Sequence, residues 1–330
     1  MKTEIKLIGI DLAIRRIGLG CMGMSEFYGP SDEAETLNVL AKALELGVRL
    51  LDTADMYGRG ANEELLGRFL KGRRHEAVIC TKCGIVRGAT PAEQKRDTSP
   101  TYIRQACEAS LRRLNVETID LYYLHRIDEV TPIEDSMAEL ERLRVEGKIR
   151  AAGLSEVDTE TLRRANTVMP ISAVQSEYSL MTRGDEVEAM IDACEVAGAA
   201  FVSYSPLSRG LLTGRYRDHA TFSPTDFRAH LPRFQPEALE NNLGLADLVA
   251  IEAEKRGITA AQLALAWVLT RSRNVIAIPG SRHFDRLLEN SEAEDVELTA
   301  CERSLINQLF GSARVAGERY PRFLDPTRNP

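Results

Sequence analysis

Short apolar runs alternate with amphipathic helical stretches along most of the chain, and that alternation confines it to an α/β architecture with a parallel sheet. Strands are predicted at residues 17–20, 49–52, 77–82, 119–124, 149–154, 173–175, 200–204 and 275–278. Helices are predicted at 31–46, 61–70, 100–114, 133–145, 158–166, 186–197 and 260–270. The first helix is expected to begin on a capping Ser31 and to stop at Leu46-Gly47, with Leu37, Leu40, Ala41 and Leu44 at helical spacing. Eight strand–helix units in 330 residues, 44% of them hydrophobic, supply enough apolar surface for one (β/α)8 TIM barrel, a single domain spanning 1–330. A doubly wound sheet is the alternative. Its dinucleotide-binding form needs a glycine fingerprint that runs from a strand into a helix. Gly18-x-Gly20-x-x-Gly23 matches the letters, but residues 24–30 read as a loop, so the motif is taken as a strand-to-helix connection.

Two additions to the barrel are expected. Residues 5–8 and 12–14 form an N-terminal β-hairpin turning at Gly9-Ile10-Asp11, placed to cap the barrel's bottom. A long loop, 205–236, follows the seventh strand and carries Pro206, Gly210, Gly214, Pro224, Pro232 and Pro236. Long loops inside compact domains are usually functional, and this one leaves the end of the barrel where active sites lie. Trp267 sits in an apolar helical stripe and is expected to pack between helix and barrel.

Charge and cysteine usage narrow the functional classes. Forty-two Lys and Arg against 49 Asp and Glu leave a net charge of −7, which gives no global attraction for nucleic acid or anionic lipid. No apolar run approaches membrane-spanning length, residues 1–6 carry no signal-like run, and a cytoplasmic location is expected. Six scattered cysteines are expected to be reduced thiols. Cys80 and Cys83 form a C-x-x-C pair, but they close a strand in which positions three apart face opposite ways, so no metal site is expected.

Four polar residues stand near the ends of successive predicted strands: Asp52, Tyr57, Lys82 and His125. A phenol has a pKa of about 10, and a neighbouring ammonium favours the phenolate. A carboxylate holds that ammonium charged and in place. A histidine orients what approaches the phenol. Together they make a proton donor for an oxygen that is becoming an alkoxide.

These segments resemble the aldo-keto reductases. The matching runs are Gly18-Leu19-Gly20-Cys21-Met22-Gly23-Met24-Ser25, Leu51-Asp52-Thr53-Ala54-Asp55-Met56-Tyr57-Gly58, Thr81-Lys82-Cys83-Gly84 and Asp120-Leu121-Tyr122-Tyr123-Leu124-His125-Arg126. Gly147-Lys148-Ile149-Arg150, Gly153-Leu154-Ser155, the run 204–214 and Ile278-Pro279-Gly280-Ser281-Arg282 continue the match in family order. The resemblance is to the microbial and plant branch, some of whose members reduce pyridoxal. It implies a (β/α)8 barrel that binds NADPH without a Rossmann fold and reduces aldehydes or ketones. It makes Tyr57 the general acid, with Lys82 lowering its pKa, Asp52 pairing with Lys82 and His125 steering the carbonyl oxygen.

The resemblance also implies the cofactor contacts. Tyr204 would stack on the nicotinamide, and Ser155 and Gln175 would bind its carboxamide. Ser205, Pro206, Leu207, Arg209 and Gly210 would meet the pyrophosphate. Gly280, Ser281, Arg282 and Arg286 would receive the 2′-phosphate at a helix start, with both arginines on one helix face. Glu289 and Asn290 match adenine-contacting positions. Glu156 stands where many relatives carry Asn, and Gly280 where some carry Lys. The expected partner is a small carbonyl compound, with Met24, Phe27, Tyr28, Met56 and Arg126 near the mouth, and the tail 316–320 folding over it. The sequence leaves the oligomeric state open. A cofactor-binding redox sensor or regulatory subunit is the competing class, and an unrelated barrel enzyme with a phosphate site is the third.

Overall fold

The computed structural model describes residues 4–90, 93–216, 222–223, 225–311 and 315–321. Pro224 and part of the loop 205–236 lie outside them. The elements follow in the order β1 (Glu4–Ile5), β2 (Ile14–Arg15), β3 (Leu19–Gly20), α1 (Glu33–Glu45), β4 (Leu50–Asp52), α2 (Ala61–Leu70), β5 (Val78–Cys83), β6 (Ile85–Val86), β7 (Lys95–Arg96), α3 (Pro100–Leu114) and β8 (Ile119–Leu124). They continue with α4 (Ile133–Val145), β9 (Ile149–Ser155), α5 (Thr159–Asn166), β10 (Ile171–Glu177), α6 (Asp185–Ala197), β11 (Ala200–Tyr204), α7 (Pro236–Glu254), α8 (Ala260–Leu269), β12 (Val275–Ile278), α9 (Phe284–Ser291) and α10 (Ala300–Leu309).

Eight parallel strands run β3-β4-β5-β8-β9-β10-β11-β12. Bridges from Ile17 to Ala277 and from Gly20 to Gly280 join the two ends, and the sheet closes into the expected (β/α)8 barrel. The seam carries a Gly18 N–H to Ala277 O bond of 2.9 Å and an Ala277 N–H to Arg16 O bond of 2.8 Å. The Arg16 guanidinium donates to carbonyls of Leu269, Ser272 and Val275 and clasps the seam from outside. Gly20 is required here: a Cβ would lie 2.9 Å from Ile278 O. The glycine fingerprint thus marks barrel closure, not a dinucleotide turn.

Side-chain alternation divides the apolar residues into two layers. Leu50, Val78, Cys80, Leu121, Tyr123, Ala151, Ala173, Val202 and Ile276 fill the barrel interior. Leu51, Ile79, Cys83, Tyr122, Leu124 and Val174 face the helices. Cys80 and Cys83 therefore belong to opposite layers, as predicted, and both are buried free thiols. Among the described residues no cluster of potential metal ligands is found. The hairpin β1–β2 is shorter than predicted, but Leu7, Ile10 and Ile14 join the interior layer and plug the bottom. Burial of three such side chains contributes roughly 5–9 kcal/mol.

Several details depart from expectation. The cap of α1 is Asp32, whose carboxylate accepts the Glu35 N–H at 2.8 Å, not Ser31, whose hydroxyl donates to Met24 O at 2.6 Å. Residues 236–254, of which the sequence places only Pro236, in the loop, form the longest helix among the described residues, α7. A second hairpin, β6–β7, projects beyond β5. Trp267 packs on Tyr178 with rings 5.2 Å apart and donates its indole N–H to Asn307. No described helix is long and apolar enough to cross a membrane.

Candidate active site

The interior parity of each strand carries on into the barrel mouth. Leu50 is followed two residues later by Asp52, Cys80 by Lys82, Tyr123 by His125 and Ala173 by Gln175. Gly153 leads in the same way to Ser155, Val202 to Tyr204 and Ile278 to Gly280. Apolar side chains fill the barrel and polar ones take over at its C-terminal rim.

Lys82 is fully buried, and its ammonium donates to Asp52 Oδ1 at 2.5 Å and to Thr53 O at 2.7 Å. Gln175 donates to the second Asp52 oxygen at 2.7 Å. The Lys82 Nζ lies 5.3 Å from the centre of the Tyr57 ring, and the His125 ring stands edge-on to that ring at 5.9 Å. Four residues distributed over three βα units thus converge. Tyr57 comes from a loop rather than a strand, and that loop is pinned. Gly58, Arg59 and Gly60 all have positive φ. The Gly58 N–H donates to Glu26 at 2.9 Å, and Arg87 forms an ion pair with the same carboxylate at 2.6 Å. Buried Asn62 ties Thr53, Cys21 and Ser25 together below.

Burial pushes the Tyr57 phenol above its ordinary pKa, while Lys82 and Arg126 pull it down. The predicted influence of Lys82 is present, but burial outweighs it, and the phenol keeps its proton at neutral pH. Burial alone would lower the Lys82 pKa; Asp52 and Tyr57 outweigh it and hold the ammonium charged. Burial, with Lys82 and Arg126, drives His125 well below the usual imidazole range, so the ring is neutral. Its Nδ1 is buried without a hydrogen-bond partner among the described residues.

One continuous cleft above this cluster is lined by Asp52, Tyr57, His125, Ser155, Gln175 and Tyr204. It extends along Ser205, Pro206, Leu207, Arg209 and Gly210, then along Gly280, Ser281, Arg282, Arg286, Glu289 and Asn290. Of the predicted site residues only Lys82 does not line it, because it lies behind Asp52 and Tyr57. Ser205 and Arg209 take positive φ, and a Cβ on Gly210 would strike the Tyr216 ring at 2.5 Å. This strained turn aims Arg209 at the hydroxyls of Tyr28 and Tyr320, 3.2 and 2.7 Å away.

The far end differs from expectation in one respect. Arg282 precedes α9 rather than sharing its face with Arg286, and it reaches back to Pro30 O at 2.8 Å. The two charges are still neighbours: burial, then Arg215 and Arg282, lowers the Arg286 pKa. Ser281 accepts the His283 N–H and donates to His283 O, closing the turn before the helix. Glu289 forms an ion pair with Arg215 at 2.7 Å. A chain of cations beside polar rim groups fits a long anionic nucleotide.

Around the mouth, Phe27, Tyr28, Met56 and Arg126 line the cleft as expected, but Met24 is buried in the core and Met22 takes its place. Sequence reasoning missed Ile85, Gln94 and Arg96 from the β6–β7 hairpin, whereas Phe227 comes from the loop 205–236, parts of which were expected at the mouth. The tail does fold over: Tyr320 lines the cleft and meets the Tyr204 hydroxyl at 3.1 Å, while Arg319 reaches Glu156 at 3.1 Å. Glu156 is buried, with positive φ, and accepts the Glu177 N–H at 2.8 Å, so it belongs to this tail contact.

A closed parallel barrel with such a cluster at its C-terminal mouth defines the class, a (β/α)8 oxidoreductase. The model described as the aldo/keto reductase family matches residues 16–310, and the chain belongs to that family. It is 41% identical over 326 residues to the aldo-keto reductase yakc [NADP(+)] of Schizosaccharomyces pombe, covering 97% of this chain and 95% of that protein. It is 40% identical over 323 residues to the probable aldo-keto reductase 1 of Glycine max, with 97% and 92% covered. Among solved structures it is similar to the glycerol dehydrogenase AKR11B4 of Gluconobacter oxydans (TM-score 0.84, 33% identity, 99% of each chain). It is also similar to an aldo/keto reductase of Klebsiella pneumoniae in complex with NADP and acetate (TM-score 0.72, 27% identity, 97% and 99% covered).

Proposed function

We propose that this protein uses NADPH to reduce aldehydes or ketones to alcohols, with Tyr57 as the general acid. The observation that carries the reading is the Asp52–Lys82 ion pair set against the Tyr57 phenol and the neutral His125 at the floor of the cation-lined cleft. The bound nucleotide supplies hydride. The chain's residues supply position and the proton. Tyr57 retains its hydrogen because it is buried, and delivers it only as negative charge grows on the substrate oxygen. Lys82 lies close enough to stabilise the phenolate left behind, and Asp52 keeps Lys82 aimed. Neutral His125 donates a hydrogen bond to the same oxygen without competing for the proton.

Ser155 and Gln175 offer hydrogen bonds to the carboxamide, and Tyr204 offers a ring face. Arg209 takes the pyrophosphate with the backbone of Ser205, Pro206, Leu207 and Gly210. Ser281, Arg282 and Arg286 take the 2′-phosphate beside Gly280, and Glu289 and Asn290 take the adenine. A relative named for NADP(+) and a solved structure in complex with NADP support the choice of cofactor. A cytoplasmic location, where NADPH is abundant, suits the reading. The test is Tyr57→Phe. It should retain NADPH binding by fluorescence titration and lose at least about a hundredfold in carbonyl reduction. Near-normal turnover would remove Tyr57 from the role.

A further inference from the structure

We propose that the Glu26–Arg87 ion pair sets the direction of the Tyr57 phenol, which makes Glu26 and Arg87 positioning residues for proton delivery. The inference rests on the reductase reading and adds two residues to its machinery. Tyr57 opens a sharply turned segment: Gly58, Arg59 and Gly60 follow it with φ of 56°, 54° and 95°. Left-handed backbone at a residue with a side chain, such as Arg59, persists only where the surroundings hold it. Here Arg87 Nη1 donates to Met56 O at 3.0 Å, and Glu26 Oε2 accepts the Gly58 N–H at 2.9 Å. Those two groups belong to the peptide units on either side of the Tyr57 Cα. Fixing both peptide planes fixes φ and ψ of Tyr57, and with them the direction in which its side chain leaves the backbone. The two grips are one unit, because Arg87 holds the Glu26 carboxylate with both arms of its fork, Nη1 at 2.6 Å and Nη2 at 2.9 Å.

The pair also ties the acid to the wall that a substrate meets. Glu26 belongs to the connection from β3 to α1, Tyr57 to that from β4 to α2, and Arg87 follows β6. Three successive loops at the barrel mouth are thus joined at one carboxylate. Phe27, next to Glu26, takes a φ of 77° and lines the cleft. Its ring stands edge-on to Tyr57 at 6.2 Å and to Phe227 at 5.7 Å, and the Phe227 N–H donates to Phe27 O at 2.8 Å. The separation of the acid from this wall therefore depends on the clamp. Reaction rates are sensitive to such placement, and an error of about 1 Å can cost about a hundredfold. Both side chains of the pair keep part of their surface in solvent, and ion pairs of that kind add little to global stability. Its loss should therefore appear in the rate more than in folding.

The test follows NADPH absorbance through a single turnover with saturating benzaldehyde, or with the best-reduced member of a carbonyl panel. Glu26→Ala and Arg87→Met should each slow the maximal rate about ten- to a hundredfold. The half-saturating aldehyde concentration, NADPH affinity by fluorescence titration and Tm should change little. Glu26→Gln keeps an acceptor for the Gly58 N–H and should recover part of the rate lost in Glu26→Ala. The double variant Glu26→Ala with Arg87→Met should be scarcely slower than the slower single variant, because the two residues act as a unit. If Glu26→Ala loses NADPH binding, Arg87→Met carries the test. Maximal rates within about twofold of wild type in both single variants, or losses that multiply in the double variant, overturn the inference and leave the reductase reading standing. Loss of NADPH binding in both single variants assigns the pair a merely structural role and overturns it too. Wild-type protein that reduces no member of the panel removes the reductase reading and the inference together.

Discussion

Replacing Asp55 with asparagine should stabilise the protein above neutral pH. Asp55 lies one layer behind the active site, and its N–H donates to Lys82 O at 3.1 Å. Its Oδ1 is buried without a hydrogen-bond partner among the described residues, and its Oδ2 has only a long contact of 3.5 Å from the Tyr102 hydroxyl. Burial, then the Glu63 carboxylate, raises its pKa from 3.8 to about 7, against the opposing pull of Arg113. The folded state thus holds a proton that the unfolded chain has already released, and stability falls as pH rises between these two values. The whole shift corresponds to about 4 kcal/mol. Asp55 keeps part of its surface in solvent, which screens the charge, so about 2 kcal/mol is expected. Asparagine keeps the shape and the Tyr102 contact without the charge. Urea unfolding of both proteins should show equal stability near about pH 4 and a variant advantage growing to about 2 kcal/mol by about pH 8. A variant that is no more stable at the alkaline end refutes the reasoning.

Three further outcomes follow from the site. Lys82→Met leaves the buried Asp52 carboxylate with Gln175 as its remaining side-chain donor and should cost about 3–5 kcal/mol in urea unfolding, while Lys82→Met with Asp52→Leu should recover most of that loss. The neutral His125 predicts a kcat/KM profile without an inflection near the ordinary imidazole value of about 6.5; an inflection there that His125→Asn removes would contradict its lowered pKa. Arg286→Ala should weaken NADPH about tenfold in fluorescence titration and barely alter NADH, because only the former carries the added phosphate.

Much of the site was legible because strand parity and strand ends are local properties. Asp52, Lys82 and His125 each end an apolar run in phase with its interior residues, and that phase can be read without coordinates. What escaped was set by competition or by distance. Ser31 and Asp32 are both capping residues, and only their backbone geometry decides between them. Helix α7 begins with Pro236, a favourable first helical residue that also reads as a loop signal, and Asn241-Asn242-Leu243-Gly244 breaks its propensity midway. Arg96 hides in a two-residue strand separated from its partner β6 by a polar stretch with a glycine and a proline. The sign of the Tyr57 perturbation required knowing how deeply the ring is buried, which no spacing rule provides.

The junction between β3 and β12 links Ile17 to Ala277, so the first barrel strand waits for a neighbour made 260 positions later. A ribosome-bound chain shorter than that exposes two unpaired strand borders, either of which can recruit a foreign strand. Fragments ending before residue 277 should therefore clump, because the glycine junction and the Arg16 clasp can form only once residues 269–280 have been made.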